Sequence, residues 1–227
     1  MSNAEPLHSA IAIDGPAASG KSTVARELAK RLGLIMVNSG EMYRAVTLAV
    51  VEAGIDPRDP SSVAGFLLGL DISCMVVNGH SRILLAGSYP GEALRSDAVN
   101  AAVSDVAAVP EVRERLVATQ RALLKEGDLV MEGRDIGSVV FPQTRYKIYI
   151  GASEAVRRQR RAAEGVVDAV ADRDRQDSAR KASPLVVAEG AAVVDSSDMS
   201  IEDVVDTVMS ILRERGWFDR GNSPEKA

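Results

Sequence analysis

A single cysteine, Cys74, in 227 residues leaves no partner for an intrachain disulfide. The chain therefore reads as one made for a reducing compartment, and a cytoplasmic location is expected. Cys74 itself lies in an apolar stretch and is expected to serve as a small buried hydrophobe. Histidine is nearly as scarce: His8 and His80 both fall outside every motif described below, which counts against histidine catalysis and histidine-ligated metal. No apolar run approaches the roughly 18 residues needed to cross a bilayer, so no membrane association is expected. Nothing near the N-terminus pairs basic residues with an apolar run, so no leader is evident, and Ser2-Asn3-Ala4 reads as a remnant of tag cleavage. An excess of positive charge is also missing. The net charge of −5 argues against a nucleic-acid polymer as partner, while leaving room for a local basic pocket. Internal repeats and low-complexity segments are absent too. What remains, 46% hydrophobic and 26% charged residues, is the composition of an ordinary globular chain able to bury a sizeable core.

Against these absences stands Gly15-Pro16-Ala17-Ala18-Ser19-Gly20-Lys21-Ser22, two glycines spaced for a phosphate loop and followed by Lys and Ser. So short a pattern needs its context. Ile11-Ala12-Ile13 is an apolar run entering it, and Val24, Leu28 and Leu32 recur every fourth residue after it, as on the buried face of a helix. Gly33 stands where a C-terminal glycine belongs, and Leu34 to Val37 reads as a second buried strand. Strand, glycine loop, helix, strand is the arrangement the motif requires.

The alternation continues. A helix is predicted from about Glu41 to Glu52, and Asp56 to Pro60 reads as a loop. Ile72–Val77 and Ser81–Leu85 flank Asn78-Gly79, the signature of a tight hairpin, which is foreign to a βα chain and reads as an insertion. Helices are predicted over about 97–108 and 111–126, strands at 129–131, 147–150 and 191–194, and a basic helix over 153–163. Residues 164–182 are too polar for a core, and Ser200 with Asp203 caps a final helix. The expected fold is α/β: a central parallel sheet with helices on both faces, a small antiparallel β insert and a mobile polar lid. Ligands in such sheets bind beyond the carboxyl ends of the strands. Residues 15–22, 38–44 and 132–135 each follow a strand and converge on one rim.

The chemistry of that rim is readable. Backbone N–H groups of the loop and the dipole of the helix beginning near Lys21 suit phosphate oxygens. Lys21 reaches the outer phosphates, and the Ser22 hydroxyl suits Mg2+. Arg44 taken alone reads as a solvated arginine, whereas the charged pair Arg134-Asp135, directly after a buried strand, is a candidate for a functional role. Arg173, Asp177 and Arg180 share one helical face at spacings of four and three, as do Arg157 and Arg161 on the preceding helix. Solvated helices with i,i+4 charge pairs have the same pattern, so this spacing alone decides nothing. Phosphoryl transfer needs positioning and positive charge around the moving group rather than covalent help, and this inventory supplies both.

With Ile13-Asp14-Gly15-Pro16 and the loop to Thr23, Ser39-Gly40-Glu41-Met42-Tyr43-Arg44, Glu132-Gly133-Arg134-Asp135-Ile136-Gly137 through Pro142, Arg173-Asp174 through Asp177, and Arg180 to Ser183-Pro184-Leu185, the chain resembles the bacterial cytidylate kinases. These belong to the nucleoside monophosphate kinases, and the matching motifs extend over about residues 11–213. The resemblance implies a P-loop kinase fold that moves the γ-phosphate of ATP to CMP or dCMP, with Mg2+ as the expected metal and a monomer as the expected state. It implies core segments at 11–65 and 106–213, a lid at about 162–183, an acceptor-binding insert at 66–105, and tails at 1–10 and 214–227. By resemblance Gly15, Pro16, Ala17, Ala18, Ser19, Gly20, Lys21, Ser22 and Thr23 hold ATP, with Arg157 and Arg161 contributing and Ser22 serving the metal. Arg44 and Arg134 grip the acceptor phosphate. Ser39, Arg113, Asp135 and Arg180 face the cytosine, and Ser104, Arg173 and Asp177 face the pentose. Lys21, Arg134, Arg173 and Arg180 then form the catalytic set.

The sequence departs from the family pattern at Asn38, where Asp is usual, at Ser138, where Thr is common, and in a short lid. Two other readings stay open at this level: a P-loop kinase for another nucleotide or small acceptor, and a nucleotide-binding module without catalysis. The absence of an Asn-Lys-x-Asp guanine signature weakens a GTPase-like version of the second.

Overall fold

The computed structural model describes residues 8–163 and 185–220. Strand β1 (Ala10–Asp14) is buried at all five positions, as a parallel strand covered on both faces must be. It is flanked by β5 (Leu129–Gly133) and β6 (Lys147–Gly151), both parallel to it. Beyond β5 lie β2 (Ile35–Asn38) and then the hairpin of β4 (His80–Leu85) and β3 (Ile72–Val77); beyond β6 lies β7 (Ala192–Asp195). The order of this seven-stranded sheet is β3-β4-β2-β5-β1-β6-β7, parallel throughout except between β3 and β4.

Side chains alternate across these strands, and each face has its own core. Ala10 and Ala12 of β1, Leu129 and Met131 of β5 and Val37 of β2 face one side. There they pack with α2 (Ser39–Glu52), α3 (Pro60–Leu67), α4 (Asp97–Val106) and α5 (Pro110–Ala122). Ile11, Ile13 and Val130 face the other side and pack with α1 (Lys21–Leu32) and α7 (Ile201–Glu214). The basic helix α6 (Glu154–Ala163) buries no residue fully.

Most predicted elements occur within two residues of their expected ends. Asn78 and Gly79 both take positive φ, 51° and 75°, as a two-residue hairpin turn requires. Ser200 and Asp203 form the reciprocal cap on α7. The hairpin joins the central sheet: Met36 N donates to Gly79 O at 2.8 Å, beside the parallel pairing of Met36 with His80. Cys74, on β3, is half-buried against the larger core.

Cys74 is thus less buried than expected, and a second expectation fails outright. Asp59-Pro60 does not close a loop but opens α3, with Asp59 Oδ1 accepting from Ser61 N and Ser62 N at 3.1 and 3.3 Å. An Asp cap followed by Pro at the first helical position is a start signal. Only Val63 and Leu67 of this eight-residue helix are buried, too few to reveal a period.

Candidate active site

The loop after β1 turns so tightly that a Cβ on Gly15 would stand 2.1 Å from the Ile150 carbonyl oxygen, so only glycine fits. Ala18 sits at φ 59°, the left-handed conformation that helps consecutive N–H groups converge on an anion. Converging N–H groups turn their carbonyls the other way, and each of four consecutive carbonyls is taken by a side chain. Lys21 Nζ donates to Pro16 O at 3.0 Å and Arg157 Nη1 to Ala17 O at 3.4 Å. Arg160 Nη1 donates to Ala18 O at 3.5 Å and Ser196 Oγ to Ser19 O at 3.0 Å. Arg160 also donates to Ser196 through Nη1 to Oγ and Nη2 to O, at 3.1 and 2.7 Å. Helix α6 and the segment after β7 thus brace the loop from behind. Arg161 lies half-buried on the last described turns of α6.

Beside the loop, at the end of β5, Glu132 is 4% exposed. Ser22 Oγ donates to its Oε1 at 2.8 Å, and Lys21 Nζ stands 4.0 Å from its Oε2. The sequence reading gave Glu132 no role; its signal was an acid at the end of an otherwise apolar strand. The loop's Lys and Ser are therefore pre-arranged around one buried carboxylate.

The chain after β5 makes a wide helical turn over Ile136–Val140, in which Phe141 N donates to Ile136 O at 2.7 Å. Such one-turn widenings are frequent at functional sites. Arg121 holds its exit, donating from Nε to Val140 O at 2.9 Å and from Nη2 to Val139 O at 2.8 Å. At its entrance Arg134 is half-buried and Asp135 is buried. Arg113 Nη2 donates to Asp135 Oδ2 in a buried ion pair, and the Arg113 guanidinium carbon lies 5.3 Å from the centroid of the Tyr43 ring.

Helix α2 completes the rim. Asn38 Oδ1 accepts from Glu41 N at 3.3 Å, so this amide caps the helix. Ser39 Oγ donates to Glu132 O at 2.8 Å, and a Cβ on Gly133 would stand 2.5 Å from that hydroxyl. Arg44 Nη1 donates to Leu94 O at 3.0 Å and Asn100 Oδ1 at 2.8 Å, which ties α2 to α4. Ser104 lies half-buried on α4. Arg173, Asp177 and Arg180 lie outside the described residues.

A second buried acid was also passed over. Asp14 ends β1, 3% exposed, and burial lifts its carboxyl to about 6, against the opposing bonds from Gly137 N and Ile136 N. The folded state then holds this proton more tightly than the unfolded chain, whose carboxyl titrates near 3.8. Its contribution to stability is full below pH 3.8 and lost as pH rises through about 6. The two values imply a change of about 3 kcal/mol. Unfolding free energies of the wild type and Asp14→Asn, measured from pH 4 to pH 7, should therefore diverge by about that much in favour of the variant. A constant difference across the range would show that the carboxyl titrates normally.

No cluster of three or more His, Cys, Asp or Glu side chains poised for a metal occurs among the described residues, and no helix among them is long and apolar enough to cross a membrane. The cytidylate kinase family model matches residues 11–214. A cytidylate kinase of Rhodococcus opacus is 43% identical over 217 residues, covering 90% of this chain and 95% of that protein. A cytidylate kinase of Pelotomaculum thermopropionicum is 44% identical over 212 residues, covering 88% and 94%. A bifunctional pantoate ligase/cytidylate kinase of Synechococcus elongatus is 44% identical over 231 residues, which are 95% of this chain and 44% of that protein.

Proposed function

The chain belongs to the cytidylate kinase family, and on that premise we propose that it transfers the γ-phosphate of ATP to CMP or dCMP, giving CDP or dCDP. The observation that carries this reading is the adjacency of two differently built sites. Strand β1 ends in the phosphate loop, and its neighbour β5 ends in Glu132 and the Arg134-Asp135 turn. The first is shaped for phosphates by N–H groups and Lys21; the second offers a cation beside a buried acid-base pair, which suits a phosphorylated acceptor carrying a polar base.

In this reading residues 15–23 cradle ATP with help from Arg157 and Arg161, while Arg157 and Arg160 also brace the loop carbonyls. Ser22 and Glu132 present hard oxygen donors 2.8 Å apart beside the loop, a set that fits Mg2+, which prefers such ligands together with phosphate and water. Bound there, the ion supplies charge neutralisation on the phosphates. Arg44 and Arg134 hold the acceptor phosphate, Ser39, Arg113 and Asp135 the cytosine, and Ser104 the pentose. Arg173, Asp177 and Arg180 reach the acceptor and the transferring group from the lid. The 66–105 segment acts as the acceptor-binding insert, and the protein works as a cytoplasmic monomer.

The test is ADP release measured against CMP, dCMP, UMP, AMP and shikimate, with ATP and Mg2+. CMP and dCMP should be turned over at least tenfold better than the other acceptors. Chelation should abolish turnover and added Mg2+ restore it. Equal rates on AMP, or a preference for shikimate, would end the proposal.

A further inference from the structure

Asp14 has no part in the roles just assigned, yet it stands between them. It immediately precedes Gly15, the first residue of the loop, and pairs with Gly133 across the β1–β5 ladder. Its carboxylate faces the turn after β5: Ile136 N donates to Oδ1 and Gly137 N to Oδ2, both at 2.7 Å. Lys21 and Asp135 are both close enough to act on its charge. We propose that Asp14 is a positioning residue that fixes the acceptor grip relative to the phosphate loop. The proposal rests on the functional reading above and adds a residue to it.

Buried carboxylates are costly, and one amide acceptor would satisfy a single N–H more cheaply. What a carboxylate alone offers is two equivalent acceptors on one rigid plane. Two consecutive N–H groups bound to that plane fix the peptide units on either side of Ile136. Those units set where Asp135, and Arg134 before it, direct their side chains. The other end of the strut is the backbone of β1, which cannot shift without shifting the loop. Donor and acceptor are thereby referenced to the same residue. In-line transfer needs such referencing, since about 1 Å of misplacement can cost roughly 10²-fold in rate.

Asp14→Asn keeps size and one acceptor but turns an NH2 toward one of the two N–H donors. Expected with CMP as acceptor is kcat lower by about 10- to 100-fold and KM several-fold higher. The Kd for ATP, measured by calorimetry, should stay within about twofold of wild type. Unchanged CMP kinetics would overturn the proposal, and so would equal weakening of ATP and CMP. Should this variant fail to fold, Gly137→Ala presses on the same contact, because its Cβ would stand 3.2 Å from Asp14 Oδ2. There a fall of about tenfold in kcat with CMP, at constant ATP affinity, is expected, and unchanged kcat would count against the strut. A wild type that does not phosphorylate CMP removes the functional reading and this inference together. An active wild type with an indifferent Asp14→Asn removes this inference alone.

Discussion

Lys21→Ala should lower turnover by roughly 10²- to 10³-fold, the range seen when one preorganised donor to a developing charge is removed. Lys21 is 6% exposed and held at the loop by Pro16 O at 3.0 Å, with Glu132 4.0 Å away, so its charge is kept buried beside the loop. The substitution also leaves Glu132 with one fewer compensating charge, which makes some loss of stability part of the expectation. Rates must therefore be normalised to folded protein by circular dichroism. Near-normal turnover per folded molecule would mean that Lys21 only buttresses Pro16 and Glu132.

The second large effect concerns the base. Cytosine offers an amino donor and an unprotonated ring nitrogen, and uracil reverses both. An ionised Asp135 only accepts, and Arg113 only donates. Each mispaired, desolvated group costs about 1–3 kcal/mol, so CMP should exceed UMP in kcat/KM by about 10²-fold or more. Asp135→Ala should lose most CMP activity and narrow that ratio. Because Asp135 and Arg113 form a buried pair, the alanine variant also strands a charge, at about 3–5 kcal/mol. Asp135→Asn is the cleaner probe. It keeps the shape beside Arg113 while making the side chain able to donate, and uracil should gain relative to cytosine. An unaltered CMP-to-UMP ratio in both variants would remove Asp135 from base recognition.

The chain wrote some of this plainly. The phosphate loop, the strands around it, the Asn78-Gly79 turn and the Ser200 cap are local devices, in which neighbouring residues carry the whole signal. Helix α3 was missed because its start signal is clear but its apolar face is two residues wide. Three features depend on distant pairing. The hairpin's place beside β2 is set by backbone bonds that carry no side-chain signature. Glu132 and Asp14 each read as an acid at the end of an apolar run, and their meaning comes from Ser22 and from Ile136 and Gly137, more than a hundred residues away in each case. Arg160 was passed over between Arg157 and Arg161 because spacing on a basic helix does not say which side chain faces the loop.

The alternation of β1, with Ala10 and Ala12 on one face and Ile11 and Ile13 on the other, also governs how such a protein can be inherited and altered. The helix that begins with Lys21 and Ser22 is rooted in one core, while the helices that carry Arg44, Ser104 and Arg113 are rooted in the other. Under the proposed assignment, repacking the second face would bear on the acceptor side, while the core under the phosphate loop would keep its own contacts. The five-residue strand β1 is thus the boundary between two separately packed halves, and substitutions confined to one core leave the packing of the other in place.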